Sequence, residues 1–371
     1  MKTIKVGLAL FLIFTFFSCS QEKTEWEGTT EEVDGVTVVK NPIQPMYGEN
    51  VFSLEEESTI GDVEGKEEQM FTNIFDIAVD DDENIYILDV NQRRISVFNK
   101  IGMYIRNISK RGQGPGEFRA PTQIIISPNR EFVICDPMVR RLFFFSLEGV
   151  YKRDIPTWEH GRLLKVMLDS KDEIIGEVPL RGEKQGLALK KFSSDFSELF
   201  DIAKKEREKI PILEVLSSRI VWCVSETDEI IWGDSEKYEV NIQDRDGKLA
   251  KKILKEYEPV RIIPEEHSER IERKFGGRPI PPEFEQELPK FYPAYKAFTM
   301  DKDGRLFIST FEKAKRGEGY YCDVFDSEGR YITKIPLKTN PRVWKNNKLY
   351  TIEEDEEGYQ YVKRYKYTCN Y

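Results

Sequence analysis

Histidine is nearly absent. His160 and His267 are the only two in 371 residues, which leaves little material for a histidine-held metal or for histidine acid–base chemistry. No Ser/His/Asp order and no nucleophile elbow stands out. The five cysteines include no C-x-x-C pair, so a zinc-ribbon site has no support. Basic charge is short as well: 56 Lys and Arg against 66 Asp and Glu give a net charge of −10, and nucleic acid would want a basic face. Long apolar runs are missing too. The one concentrated stretch, Gly7 to Phe17, falls short of the roughly 20 residues that span a bilayer.

That short run has a distinct meaning at the N-terminus. Lys2 and Lys5 precede it and the small Ser18 follows, as in a secretory signal covering residues 1–18. Cys19 directly after the apolar core resembles a bacterial lipoprotein signal, in which the Cys becomes the lipidated first residue. Phe16 and Phe17 depart from the usual residues there. The expectation is a lipid anchor at Cys19, a flexible acidic tether over 19–35 and a folded body over 36–371. This places the protein in the bacterial cell envelope. Ser20 fits outer-membrane sorting by analogy. Cys135, Cys223, Cys322 and Cys369 are read as buried thiols, with a Cys322–Cys369 disulfide as the alternative in an oxidising compartment.

What is abundant is aromatic and β-branched residues in a repeat. FDIAVDDDENIYILD (75–89) aligns with TQIIISPNREFVICD (122–136), and the unit returns as LKVMLDSKDEIIGEV (164–178), WCVSETDEIIWGD (222–234) and AFTMDKDGRLFIST (297–310). RVWKNNKLYTIEE (342–354) closes the series. Each unit is two period-2 strands around a polar turn. A second hairpin follows, as in RISVFNKIGMYIRNI (94–108) and RLFFFSLEGVYKRDI (141–155). Gly102, Gly149, Gly247 and Gly329 share one turn position that calls for positive φ, while the third unit has Phe196 there and predicts a different turn. Six such units argue for an all-β six-bladed propeller of four-stranded antiparallel blades. The last unit supplies three strands, so VFSLEEESTIG (51–61) is assigned to complete that blade and close the ring.

The run G-x-G-P-G-E-F-x-x-P, then I-Y-I-x-D-x-x-x-x-R-I-x-V-F-x-x-x-G, resembles NHL-type repeats of six-bladed propellers, and among these the TolB-like bacterial lipoprotein propellers. The likeness is closest over Phe75 to Ile155. It implies that Asp89 with Arg94, and Asp136 with Arg141, are structural braces. Blade 4 departs from this, with Tyr238 where the Arg would stand. KRGQGPGEFRAP (110–121) then links blade 1 to blade 2 as a turn. A phosphate cradle needs a following helix, and TQIIIS is a strand.

Topology sorts the loops. Turns after the first and third strands collect acidic runs such as D-D-D-E-N, which lack the full calcium-loop ligand set. No cofactor is expected, with calcium as the one candidate. The opposite face carries the candidate ligand or partner residues Arg93, Arg140, Trp158, His160, Arg162, Arg181, Lys237 and Arg316. It also carries an insert over 256–298, between blades 4 and 5, in which PEEHSERIERKF reads as a short helix. The expected function is non-catalytic binding of an envelope protein or an anionic glycan or small ligand on this face. The alternative is a metal-dependent hydrolase or lactonase with its site in the central channel, marked by three or more converging acidic or amide groups. Asp76 and Gln123 are the inner-strand residues near the right end.

Overall fold

The period-2 patterning resolves into strands throughout. The computed structural model describes residues 25–62, 66–108, 114, 116–180, 186–206, 216–263, 267, 289–315 and 319–370. The leader with Cys19, Arg181, Arg316 and most of the 256–298 insert with its expected helix lie outside the described residues. A hairpin of β1 (Thr29–Val33) and β2 (Val36–Asn41) leads into β3 (Phe52–Ile60). Blade 1 follows as β4 (Ile74–Val79), β5 (Ile85–Asp89), β6 (Arg94–Phe98) and β7 (Tyr104–Ile108). Blade 2 is β8 (Gln123–Ile126), β9 (Glu131–Asp136), β10 (Arg141–Ser146) and β11 (Tyr151–Pro156). Blade 3 is β12 (Val166–Leu168), β13 (Ile174–Pro179), β14 (Gly186–Phe192) and β15 (Glu198–Glu206). Blade 4 is β16 (Ile220–Val224), β17 (Ile230–Asp234), β18 (Glu239–Gln243) and β19 (Leu249–Lys255). Blade 5 is β20 (Ala297–Met300), β21 (Leu306–Lys313), β22 (Tyr320–Phe325) and β23 (Tyr331–Leu337). In blade 6, β24 (Val343–Lys345), β25 (Lys348–Glu354) and β26 (Gln360–Cys369) are completed by β3. Its antiparallel register runs from Val362↔Ile60 to Cys369↔Phe52, so the N-terminal strand closes the ring.

The N-terminal hairpin departs from the sequence expectation. Part of the segment read as a tether is β1, and β2 pairs in parallel with β19, making blade 4 a six-stranded sheet. The cause is local: Asp34 and Gly35 take φ of 52° and 77°, the geometry of a tight Asp-Gly hairpin turn. Asn41 locks the hairpin down. Its Oδ1 accepts from the Tyr331 amide at 2.7 Å and from Trp26 Nε1 at 3.0 Å, and its Nδ2 donates to the Gly329 carbonyl at 2.9 Å.

Packing explains why the second strand of a blade is apolar on both faces: blades stack face to face, so β5 is buried at every position. A separate apolar cluster fills each space between neighbouring blades. Tyr86, Leu88, Phe132 and Ile134 lie between blades 1 and 2, and Ile60, Ile87, Tyr350 and Val362 between blades 6 and 1. Burying one such side chain stabilises by roughly 1.5–3 kcal/mol. No disulfide joins Cys322 to Cys369, which lie in and against the blade 5–6 cluster.

The acidic turns have a structural job. Asp80, Asp169 and Asp301 each accept the amide four residues on, at 2.8 Å from Asn84, 3.0 Å from Glu173 and 2.9 Å from Arg305. Among the described residues no three His, Cys, Asp or Glu side chains are grouped to hold a metal. The third-unit turn is built like the others after all. Phe196 takes the left-handed conformation, φ 71°, that Gly102, Gly149, Gly247 and Gly329 take elsewhere. Its buried ring stacks on Phe192 at 4.3 Å, which offsets the backbone cost.

Candidate functional site: the cationic mouth of the channel

Each inner strand enters the ring from the face bearing the insert. In four successive blades the residue just before it is a cation: Lys165 before β12, Arg219 before β16, Lys296 before β20 and Arg342 before β24. Blades 1 and 2 have Asn73 and Thr122 at this point. Side chains here also stitch one blade to the next. Asp76 Oδ2 accepts from the Ile124 amide at 3.0 Å, and the Gln123 amide bonds both ways to Val166, at 2.8 and 2.9 Å. Lys165 Nζ donates to the Trp222 carbonyl at 2.6 Å, and Arg219 donates to the Lys296 carbonyl at 2.8 Å.

Electrostatics make this a site rather than a seam. Burial pushes the Asp76 carboxyl up to about 6, with Arg342 and Lys165 near enough to pull it part-way back. Burial also lowers the Lys165 ammonium, with Glu177 opposing and Arg219 adding to the depression. Lys165 lies over the Trp222 ring at 4.3 Å, and the Trp222 indole N–H donates to Glu177. Lys296 turns away from this group. Its ammonium sits 3.2 Å from the Tyr320 ring centroid and 4.6 Å from that of Phe311, and burial pushes it down to about 8. At the mouth Lys165 and Arg342 thus act on Asp76, and Arg219 acts on Lys165; both arginines are exposed. Of the acidic and amide groups described near this mouth, Gln123 has both ends of its amide engaged and Glu177 accepts from the Trp222 indole.

The residues singled out from sequence do not form one cluster. Arg93 and Arg140 both take positive φ, 51° and 55°, at the second-strand loops of blades 1 and 2. Trp158 is 60% exposed, and Arg162 and Lys237 are exposed. His160 packs against Phe192 and Phe196, with Nδ1 3.5 Å from Glu198, between blades 2 and 3. The Asp–Arg braces are not ion pairs. Asp89 accepts from the Thr72 amide at 2.7 Å and the Gln92 amide at 3.0 Å, while Arg94 donates to the Glu67 and Met70 carbonyls. Asp136 accepts from the Arg119 and Ala120 amides at 2.6 and 2.9 Å, and Arg141 pairs with Asp154. The carboxylates therefore hold the loops, including the end of the glycine-rich 110–121 segment, and the arginines bond elsewhere. Sequence reading missed the channel cations, although K-V-M-L, R-I-V-W, K-A-F-T and R-V-W-K show a cation ahead of each inner strand.

A family described as 6-bladed beta-propeller matches residues 62–160. A protein of Bacteroides fragilis described as exported has the same fold at 10% identity, with a TM-score of 0.55 over 88% of this chain and 99% of that one. A DUF4221 family member from Bacteroides vulgatus matches at 11% identity and TM-score 0.55, over 86% of this chain and 99% of that one. No curated protein matches the sequence. The chain is a six-bladed β-propeller, and its first two blades carry the sequence pattern of that family.

Proposed function

We propose that this protein is an exported, lipid-anchored propeller that binds an anionic small ligand or glycan at the mouth of its central channel, without catalysis. The observation that carries this reading is the placing of Lys165, Arg219 and Arg342 at the starts of the inner strands of blades 3, 4 and 6, with Lys165 and Arg342 acting on the buried Asp76, in a chain of net charge −10. A local cationic mouth in an acidic protein concentrates anions where low-dielectric walls focus the field. Cys19 after a short apolar core supports the anchor, and export agrees with the description of the Bacteroides fragilis protein of the same fold. Rigid strands presenting loops at one face suit recognition.

The test is calorimetric titration of the chain from residue 25 with citrate, pyrophosphate and uronate oligosaccharides at low and physiological salt. Arg219→Glu with Arg342→Glu should weaken the binding anion by about tenfold or more, and salt should weaken it in the wild type. Equal affinity in wild type and variant would remove the channel mouth as the site.

A further inference from the structure

A second cavity lies away from the channel, between blades 4 and 5. It has a volume of about 370 Å³ and opens beneath the two ends of the insert that the structure describes, with Ile43 and Gln44 on the N-terminal side. Its size falls in the range of small-molecule pockets, roughly 300–1,000 Å³. Blade 4 contributes Tyr238 and Lys255, and blade 5 contributes Glu312, Asp323, Tyr331 and Lys334.

The charges in this cavity are arranged differently from those at the channel mouth. Asp323 is 1% exposed and accepts from the hydroxyls of Tyr238 at 2.6 Å and Tyr331 at 2.7 Å, and the Lys255 ammonium lies 3.1 Å away. That ammonium also sits over the rings of Tyr238 and Tyr331, 4.7 and 4.5 Å from their centroids. Nearby, Lys334 bonds Glu312 at 2.6 Å and covers the Tyr321 ring at 4.2 Å. Each of these cations is matched to its own carboxylate, so a simple ion entering here meets a counter-charge already taken.

A ligand that fits must donate to carboxylates and accept from ammonium groups within a few ångströms, while its apolar surface meets Tyr257 and Pro293. Neighbouring hydroxyls on a ring with C–H faces have that character. We infer that the blade 4–5 cavity is a binding site for a neutral pyranose sugar, with the Lys334–Glu312 pair bonding adjacent hydroxyls. This site rests on its own cavity and paired charges, independently of anion binding at the channel.

The experiment is saturation-transfer NMR on the chain from residue 25 with glucose, galactose, mannose, N-acetylglucosamine and lactose, each at millimolar concentration. One or more should show transfer that is lost or weakened at least tenfold in Glu312→Gln/Lys334→Gln. That rim pair is partly exposed, and the two amides remove its charges at nearly constant volume, so the fold should persist; thermal unfolding checks this. If the double variant unfolds, Lys334→Arg, which keeps the charge but changes the geometry, should weaken transfer in a folded chain. Arg219→Glu with Arg342→Glu should leave sugar transfer intact, which separates the two sites. No transfer from any neutral sugar, transfer unchanged in the folded rim variants, or displacement of the sugar by simple salts would each overturn the inference.

Discussion

Asp76 is the residue whose titration reports most directly on the channel. The folded protein holds its proton up to about pH 6, whereas the unfolded chain releases it near pH 4. A raised carboxyl of this kind contributes stability that is fullest below the unfolded pKa and is lost as pH rises through the folded value. Protonation also removes a negative charge that Lys165 and Arg342 both face there. Anion binding should therefore tighten as pH falls from about 7.5 to about 5. Asp76→Asn should flatten both dependences and bind the anion better at pH 7.5, while keeping a carbonyl for the Ile124 amide. Chemical denaturation and calorimetry across that pH range provide the check. A variant with the wild-type pH slope would mean that another group titrates.

Loops and strands depend on the braces, and here the two partners named from sequence separate. Asp136 is fully buried and accepts four backbone amides, those of Arg119, Ala120, Met138 and Val139. Asp136→Ala leaves those donors unmet and should cost about 2–4 kcal/mol in denaturant unfolding. Arg141 is half-exposed and its pairing with Asp154 is screened, so Arg141→Ala should cost less than about 1 kcal/mol. Equal losses in the two variants would restore the Asp–Arg brace. The difference shows what was legible. Period-2 alternation and the recurring turn made strands, blades and the closing role of 51–61 readable, because burial acts on every residue of a strand. The brace was misread because Asp89↔Arg94 and Asp136↔Arg141 are cross-strand neighbours, and neighbours in register need not join side chains. The cations before β12, β16, β20 and β24 stood in the sequence, but the outward turn of Lys296 depends on Phe311 and Tyr320, which only the folded loop brings beside it. Acidic composition hid β1 and β2, whose signals were the Asp34-Gly35 turn and the Val36 to Val39 run.

For the whole molecule, stability depends on how the ring is shut. Five blades are each made of four consecutive strands, whereas blade 6 borrows β3 from the other end of the chain, with eight cross-strand partners from Phe52 to Ile60. Phe52 also packs in the blade 5–6 cluster, stacked on Tyr367 at 5.2 Å, and Ile60 packs in the blade 6–1 cluster. Removing β3 strips β26 of its outer partner and opens two apolar interfaces at once, while removing β1 and β2 exposes the edge of β19 but leaves the ring closed. A chain beginning at residue 42 should therefore fold with a lower midpoint and a single transition, losing the β2–β19 ladder, the buried Val38 and Val39 and the Asn41 bonds to blade 5. A chain beginning at residue 61 should lose cooperative unfolding and associate through the bared edge of β26. Circular dichroism melts and light scattering on the two truncations separate these outcomes. A sharp, monomeric transition from the residue 61 chain would mean that the inter-blade clusters suffice and that closure by β3 is incidental.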